Sequence, residues 1–148
     1  MTRYCILFNP TAGRRCNRQR LESLQKRLDG AAELRPTPGP DTAASLARQA
    51  ADEGFDFVVA AGGDGTVHEV AAGLLDSGRR DVTLLVYPVG SANDYAHSLV
   101  LEHGAAIRWP NSGALVDVGR VTGLSEHDAW FVNSIGLGIF GATIGMLG

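Results

Sequence analysis

The chain opens with an apolar run, Tyr4 to Phe8, that stops at the turn pair Asn9-Pro10. A short run without polar alternation predicts a strand covered on both faces. From Asn17 to Leu28 the pattern changes. Leu21, Leu24 and Leu28 recur at intervals of three and four, the spacing of one helix face. Ala32 to Arg35 is a weaker second strand, followed by the stiff loop Thr37-Pro38-Gly39-Pro40. Asp41 or Thr42 then caps a helix reaching about Glu53, with Leu46, Ala47, Ala50 and Ala51 inward and Gly54 ending it. Phe57 to Ala61 is a third strand, and Val67 to Leu75 an amphipathic helix that closes near Gly78. Val82 to Tyr87 is a fourth strand, again apolar throughout, and Tyr95–Val100 and Glu102–Ile107 are short helices.

This strict alternation of strand and helix predicts a doubly wound three-layer α/β/α domain with a mostly parallel sheet. The loops at 9–15, 37–40, 62–66 and 88–94 all follow strands, so they share one edge of the sheet. Ligands of such folds bind at that edge. Near Pro110 the alternation stops. Ala114 to Val121 and Trp130 to Asn133 read as two strands joined by the polar turn Gly123–Asp128, and a segment rich in glycine and apolar residues follows, Ser134 to Gly145. The expected organisation is an α/β domain over 1–112 and, over 113–148, the beginning of a β-rich second domain that is incomplete at Gly148. An unfinished β-unit would expose apolar surface from Phe131 to Leu147, so self-association is expected.

Composition adds boundaries. The 148 residues suffice for one domain with a real core, and 45% hydrophobic with 20% charged residues is ordinary for a soluble protein. A net charge of −3 gives no reason to expect nucleic-acid binding. No stretch is long and apolar enough to span a membrane, and Met1-Thr2-Arg3-Tyr4-Cys5-Ile6 is not a signal peptide. Cys5 reads as a core residue and Cys16 as a reduced loop residue, with no metal-ligand spacing between them. The chain reads as cytoplasmic, with room for peripheral attachment at a membrane surface.

The chemistry concentrates between Val58 and Val70. A buried strand runs into Gly62-Gly63-Asp64-Gly65-Thr66 and then a helix. That order places backbone N–H groups around an anion. The three glycines are expected to take positive φ and to admit close approach of a ligand. Asp64 puts a carboxylate among those donors, which suits a phosphate carrying Mg²⁺ better than a bare phosphate. Thr66 is placed to cap the helix and to bond a phosphate oxygen. Asp64 could equally stabilise a turn, since Gly-Asp-Gly is common in turns. The loop is neither a dinucleotide fingerprint nor a P-loop: G-x-G-x-x-G and G-x-x-x-x-G-K-[ST] are both absent, and Lys26, the single lysine, lies in the first helix.

Three strand-end loops together resemble the diacylglycerol kinase catalytic-domain superfamily, which includes bacterial lipid kinases, ceramide and sphingosine kinases and, more distantly, NAD kinases. Asn9-Pro10-Thr11-Ala12-Gly13 is similar to the family's N-P-x-[SA]-G. Gly62 through Val70 is similar to G-G-D-G-T-x-N-E-V, and Pro88 through Ala96 to P-x-G-T-x-N-D-F-A. Asp117-Val118-Gly119-Arg120 and Phe131 through Gly138 resemble the start of the family's second domain. The resemblance covers nearly the whole chain. It implies transfer of the ATP γ-phosphoryl to a lipid hydroxyl at the membrane surface, with ATP and Mg²⁺ as cofactors. It further implies that Asn9, Gly13, Thr37, Gly62, Gly63, Asp64, Gly65, Thr66, Val67, His68, Glu69, Ser91, Asn93 and Asp94 form the nucleotide site. Asp64 would be the catalytic residue and would support the metal through the phosphates; Glu69 would sit one turn into the helix, and Asn93 and Asp94 would hold the third loop.

Three residues depart from the pattern: His68 stands for asparagine, Ser91 for threonine and Tyr95 for phenylalanine. The family pattern is about twice as long, and its C-terminal part carries further metal ligands and the proposed base. The chain therefore reads as the nucleotide-binding half of a lipid kinase. The alternatives are a nucleotide-binding module without transfer activity and an NAD kinase-type enzyme. Asn93-Asp94 in the third loop and Glu69-Val70 after the second favour the lipid kinases over the latter.

Overall fold

Four apolar runs form one parallel sheet. The computed structural model describes residues 1–10, 18–28, 32–99, 115–123 and 129–133. Its elements are β1 (Tyr4–Phe8), α1 (Arg18–Arg27), β2 (Ala32–Pro36), α2 (Thr42–Asp52), β3 (Phe57–Gly62), α3 (Asp64–Asp76), β4 (Thr83–Pro88), α4 (Asp94–Ser98), β5 (Gly119–Val121) and β6 (Ala129–Phe131). The strand order is β2-β1-β3-β4, every neighbouring pair parallel. The register aligns the strand ends: Phe8 lies opposite both Pro36 and Ala61, and Gly62 opposite Pro88. Their four following loops therefore emerge together, as the alternation of elements predicts.

Successive residues of a strand point to opposite faces, and the two faces bury different helices. Cys5, Leu7, Val58, Ala60 and Val86 share a cluster with the buried residues of α2, α3 and α4. Ile6, Val59, Ala61 and Tyr87 pack with Leu21, Leu24 and Leu28 from α1 and the residue after it. This is the doubly wound arrangement. From β1 the chain moves outward to β2, then back across β1 to β3 and on to β4. Right-handed crossovers put α1 on one face and α2 and α3 on the other. The reversal lies between β1 and β3, the topological switch point where such sheets open a crevice.

The two helices on the shared face lie very close. α2 turns Ala43, Ala47, Ala50 and Ala51 into the core, a face without bulk. Gly73 of α3 completes the approach: a Cβ there would stand 2.0 Å from the Ala44 carbonyl oxygen. Leu46, expected to face inward, is partly buried against the same cluster. Asp41 occupies the N-cap position of α2 with φ of 61° and no side-chain cap bond, whereas the Thr42 hydroxyl donates to the Gly39 carbonyl at 2.6 Å. Gly54 and Gly78, both at positive φ, follow α2 and α3 at the edge away from the loops named above. Arg35 of β2 pairs with Glu33 at 2.8 Å and with Glu53, and its guanidinium lies over the Phe55 ring.

The second domain expected after residue 112 is not shown by the described residues. β5 and β6 form a two-stranded antiparallel hairpin, shorter than the sequence predicts. It leans on α3: the Trp130 indole N–H donates to Asp76 Oδ1 at 2.8 Å, and Val132 packs against the α2–α3 side of the core. The helix expected over Glu102–Ile107, the loop 11–17 with Cys16, and the segment from Ser134 onward lie outside the described residues.

Candidate functional site

The loops at the carboxyl ends of the strands enclose a cleft of about 410 Å³. Asn9 and Pro10 contribute from the end of β1, Thr37 to Pro40 from the end of β2, and Ala43 from the first turn of α2. Gly63, Gly65, Thr66 and Glu69 come from the start of α3, and Gly90 and Ser91 from the loop after β4. One wall is therefore apolar and rigid, built on Pro38 and Pro40. Another part of the lining is the beginning of a helix.

That helix starts earlier than the residue pattern predicts. α3 begins at Asp64, with Gly63 as its N-cap in extended conformation. The Val67 N–H, bonded to the Gly63 carbonyl at 3.1 Å, closes the first turn. The N–H groups of Asp64, Gly65 and Thr66 precede it and have no acceptor within the helix. Thr66 is thus inside the first turn and is not the cap. None of Gly62, Gly63 and Gly65 takes positive φ, so the expected reason for these glycines is corrected. Proximity is the actual reason. A Cβ on Gly62 would strike the Thr66 side chain at 2.3 Å. A Cβ on Gly90 would lie 2.4 Å from the Gly63 Cα, so the second and third loops touch backbone to backbone. Gly65 has open space where a Cβ would project.

Two carboxylates tie this corner together, each at the start of another helix. Asp64 Oδ1 accepts the Tyr95 N–H at 2.8 Å, joining α3 to α4 across the cleft rim. Glu69 Oε2 accepts the Ala43 N–H at 2.9 Å, joining α3 to α2. Negative charge at a helix start is favourable, so each contact positions a loop as well as a side chain. Burial raises the Tyr95 phenol above its usual pKa. Thr37, buried at the end of β2, gives both its N–H (2.9 Å) and its hydroxyl (3.4 Å) to the Phe8 carbonyl, which holds the second loop beside the first.

The third loop folds around Asn93. This residue is buried at φ of 58°, a conformation asparagine tolerates better than most residues. Its Oδ1 accepts the Gly90 N–H at 3.0 Å and its Nδ2 donates to the Gly90 carbonyl at 2.9 Å. The amide thus stands in for a backbone pair and keeps Gly90 against Gly63. The Val89 N–H, bonded to the Gly62 carbonyl at 3.1 Å, extends the β3–β4 pairing into the loop.

Of the expected site residues, Asn9, Thr37, Gly63, Gly65, Thr66, Glu69 and Ser91 line the cleft. Gly62, Asp64 and Asn93 stand directly behind it through the contacts described. Val67 is buried in the core beneath the loop, and His68 and Asp94 are exposed and do not line the cleft. Gly13 lies outside the described residues. Pro10, Pro38, Gly39, Pro40, Ala43 and Gly90 line the cleft without having been singled out individually. The signal that could have found them is position: each follows directly on the end of a strand or begins the helix after it.

Comparison with known proteins identifies the relatives of this chain. The family model for the diacylglycerol kinase catalytic domain matches residues 3–117. A Bacillus subtilis (strain 168) protein named diacylglycerol kinase is 32% identical over 146 residues, covering 93% of this chain and 46% of that protein. A Cronobacter sakazakii protein named probable lipid kinase YegS-like is 34% identical over 117 residues, covering 76% of this chain and 38% of its own. A solved structure described as a diacylglycerol kinase from Bacillus anthracis str. Sterne superposes with a TM-score of 0.57 at 25% identity, over 66% of this chain and 34% of that one. The chain spans less than half the length of these relatives.

Proposed function

The chain belongs to the diacylglycerol kinase catalytic-domain family, and we propose that it forms the nucleotide-binding part of an ATP-dependent lipid kinase. One observation carries the reading: Gly65 and Thr66, whose N–H groups have no acceptor within α3, line the cleft beside the touching glycines Gly63 and Gly90. Phosphates sit at the start of α3, where donors and helix charge favour anions. The Pro38 and Pro40 wall suits the flat, apolar base. Asn9, Gly13, Thr37, Gly63, Gly65, Thr66 and Ser91 contact the nucleotide directly. Gly62, Asp64, Glu69, Asn93 and Asp94 hold the loops, and Val67 and His68 support the helix behind them.

Phosphoryl transfer asks mainly for positioning and charge neutralisation. The γ-phosphoryl passes from ATP to the hydroxyl oxygen of a lipid presented at the membrane surface: the bond from the γ-phosphorus to the bridging oxygen breaks, ADP leaves, a P–O bond to the lipid forms, and the hydroxyl gives up its proton. Mg²⁺, if bound with ATP, would supply neutralisation of the phosphate charge. Among the described residues no group of three or more His, Cys, Asp or Glu side chains converges to hold a metal. Mg²⁺ keeps several waters and often takes one or two carboxylates beside substrate phosphates. The residues present fit such an ion carried in by ATP, which Asp64, its Oδ1 held by the Tyr95 N–H, would support through the phosphates. No helix among the described residues is long and apolar enough to cross a membrane. The likeness to a bacterial diacylglycerol kinase supports a place in the cytoplasm, with the acceptor met at the membrane surface.

Titration of the chain with Mg·ATP in a calorimeter tests binding; absence of heat at millimolar ATP refutes it. Transfer is tested with labelled ATP and a lipid panel, using this chain and the longest protein that carries it. A second reading, nucleotide binding without transfer, is favoured by one observation. Asp64 and Glu69, the carboxylates at the cleft end of α3, are both engaged as caps of other helices. Labelled lipid formed by the chain alone would rule that reading out.

A further inference from the structure

We propose that Glu69 sets the direction in which a nucleotide lies in the cleft, by neutralising the start of α2. This inference rests on the nucleotide reading above. Among the described residues, two helices longer than two turns put first-turn residues into the cleft lining, α2 from Thr42 and α3 from Asp64. A helix start carries about half a positive charge together with unsatisfied N–H groups. Ala43 from the first turn of α2 lines the cleft, and so do Gly65 and Thr66 from the first turn of α3. A cleft with two such ends offers a chain of phosphates two places to sit.

The side chains remove the ambiguity. Glu69 reaches across from α3, and its Oε2 accepts the Ala43 N–H at 2.9 Å, so a carboxylate already occupies the start of α2. Asp64, at the start of α3, turns its Oδ1 away to the Tyr95 N–H at 2.8 Å. Asp41, the N-cap residue of α2, is exposed and makes no side-chain cap bond, which leaves Glu69 as the carboxylate bonded to that helix start. Phosphates near α2 meet a like charge, and phosphates near α3 meet donors. The base and sugar are left to the proline wall beside α2. Direction is thus imposed by repulsion at the wrong end, in addition to attraction at the right one.

The test compares the unaltered chain with Glu69→Gln and Glu69→Leu, using ATP and tripolyphosphate at constant Mg²⁺. Glutamine keeps an acceptor oxygen for the Ala43 N–H and removes the charge; leucine removes both. With the second helix start unmasked, Glu69→Gln is expected to bind tripolyphosphate about threefold or more tightly than the unaltered chain, the size of a helix-end charge effect. ATP gains less, so the preference for ATP over tripolyphosphate shrinks while the melting temperature falls by no more than roughly 1–4 °C, the loss of one helix-end charge. Glu69→Leu shifts the preference in the same direction but melts earlier. An unchanged preference in Glu69→Gln, or affinities for both ligands falling in step with melting temperature, overturns the proposal and leaves Glu69 as a helix cap alone. If the unaltered chain binds neither ligand, the nucleotide reading fails and this inference with it.

Discussion

The contact between Gly63 and Gly90 makes an opposed pair of expectations from one substitution type. In Gly90→Ala the new methyl lies 2.4 Å from the Gly63 Cα, 3.0 Å from its N and 2.9 Å from Asn93 Oδ1. The crowding atoms are mainly backbone, so the two loops must part rather than a side chain rotate. Overpacking of this kind costs about 1–3 kcal/mol, and a backbone clash belongs in the upper half, about 2–3 kcal/mol. For a domain of this size that is roughly a 4–12 °C fall in melting temperature. Gly65→Ala is the counterpart. Its methyl meets nothing within 4 Å and sits in the first turn of α3. Exchanging glycine for alanine in a helix is worth about 0.5 kcal/mol, or a rise of roughly 1–2 °C. Yet that methyl projects beside the N–H groups that face the cleft. Loss of one charge-assisted hydrogen bond there, about 1.5 kcal/mol, weakens Mg·ATP roughly tenfold. Both variants thus bind nucleotide more weakly while their stabilities move in opposite directions. Scanning calorimetry gives the stabilities and titration calorimetry the affinities. A lowered melting temperature in Gly65→Ala, or an unchanged one in Gly90→Ala, would refute the reasoning from proximity.

Other substitutions probe the remaining contacts. Asp64→Ala, which strips the acceptor from the Tyr95 N–H, should cost about 1 kcal/mol in urea unfolding. Asp64→Asn should cost only a few tenths, because an acceptor remains, and yet bind Mg·ATP as poorly; equal stabilities would argue against the cap. Gly73→Ala sets a methyl 2.0 Å from the Ala44 carbonyl oxygen and should cost about 2–3 kcal/mol. Because the clash is with backbone, adding Ala44→Gly should not restore it, and recovery in the double variant would disprove the close crossing of α2 and α3. The Cys5 thiol, buried in the sheet, is pushed up to about 12 from 9.0. An unfolded thiol loses its proton above about 9 while the native one keeps it, so stability falls as pH rises from about 9 towards 12. Urea midpoints at pH 8, 9 and 10 should show this slope flattened in Cys5→Ala, and identical slopes would contradict it. In a Cys16→Ser background, Cys5 should not react with a thiol reagent at pH 8 until the chain unfolds.

What was legible in the sequence was what periodicity encodes. Val58 to Ala61 and Leu84 to Tyr87 are apolar on consecutive positions because both sheet faces are covered, and the run itself carries that fact. Strand-end loops follow from alternation alone, so the place of the cleft could be read. The start of α3 could not. Gly-Gly-Asp-Gly-Thr has the residues of a turn, and glycine is a poor helix former. The helix nonetheless begins at Asp64, whose charge favours a helix start and whose carboxylate is held by Tyr95, 31 positions along the chain. Glu69 is likewise held by Ala43, 26 positions before it. Such pairings depend on how α2, α3 and α4 are placed around the sheet, and no local pattern specifies them. The role of the glycines was misread for a related reason: crowding by Thr66 and by the third loop is a tertiary fact, whereas positive φ is the local habit of the residue.

The common alignment of the strand ends divides the labour of the chain between two edges. Everything that touches the cleft leaves the sheet at Phe8, Pro36, Gly62 and Pro88. The turns that return the chain from α2 and α3 lie at the other edge, at Gly54 and at Gly78. Beside Gly78, whose positive φ is kept, the neighbouring Arg79 and Asp81 are exposed, so this turn is open to insertion. A reporter group, an affinity tag or a new pair of chain ends can be introduced there, leaving the binding edge as it is, and the protein can be instrumented from behind.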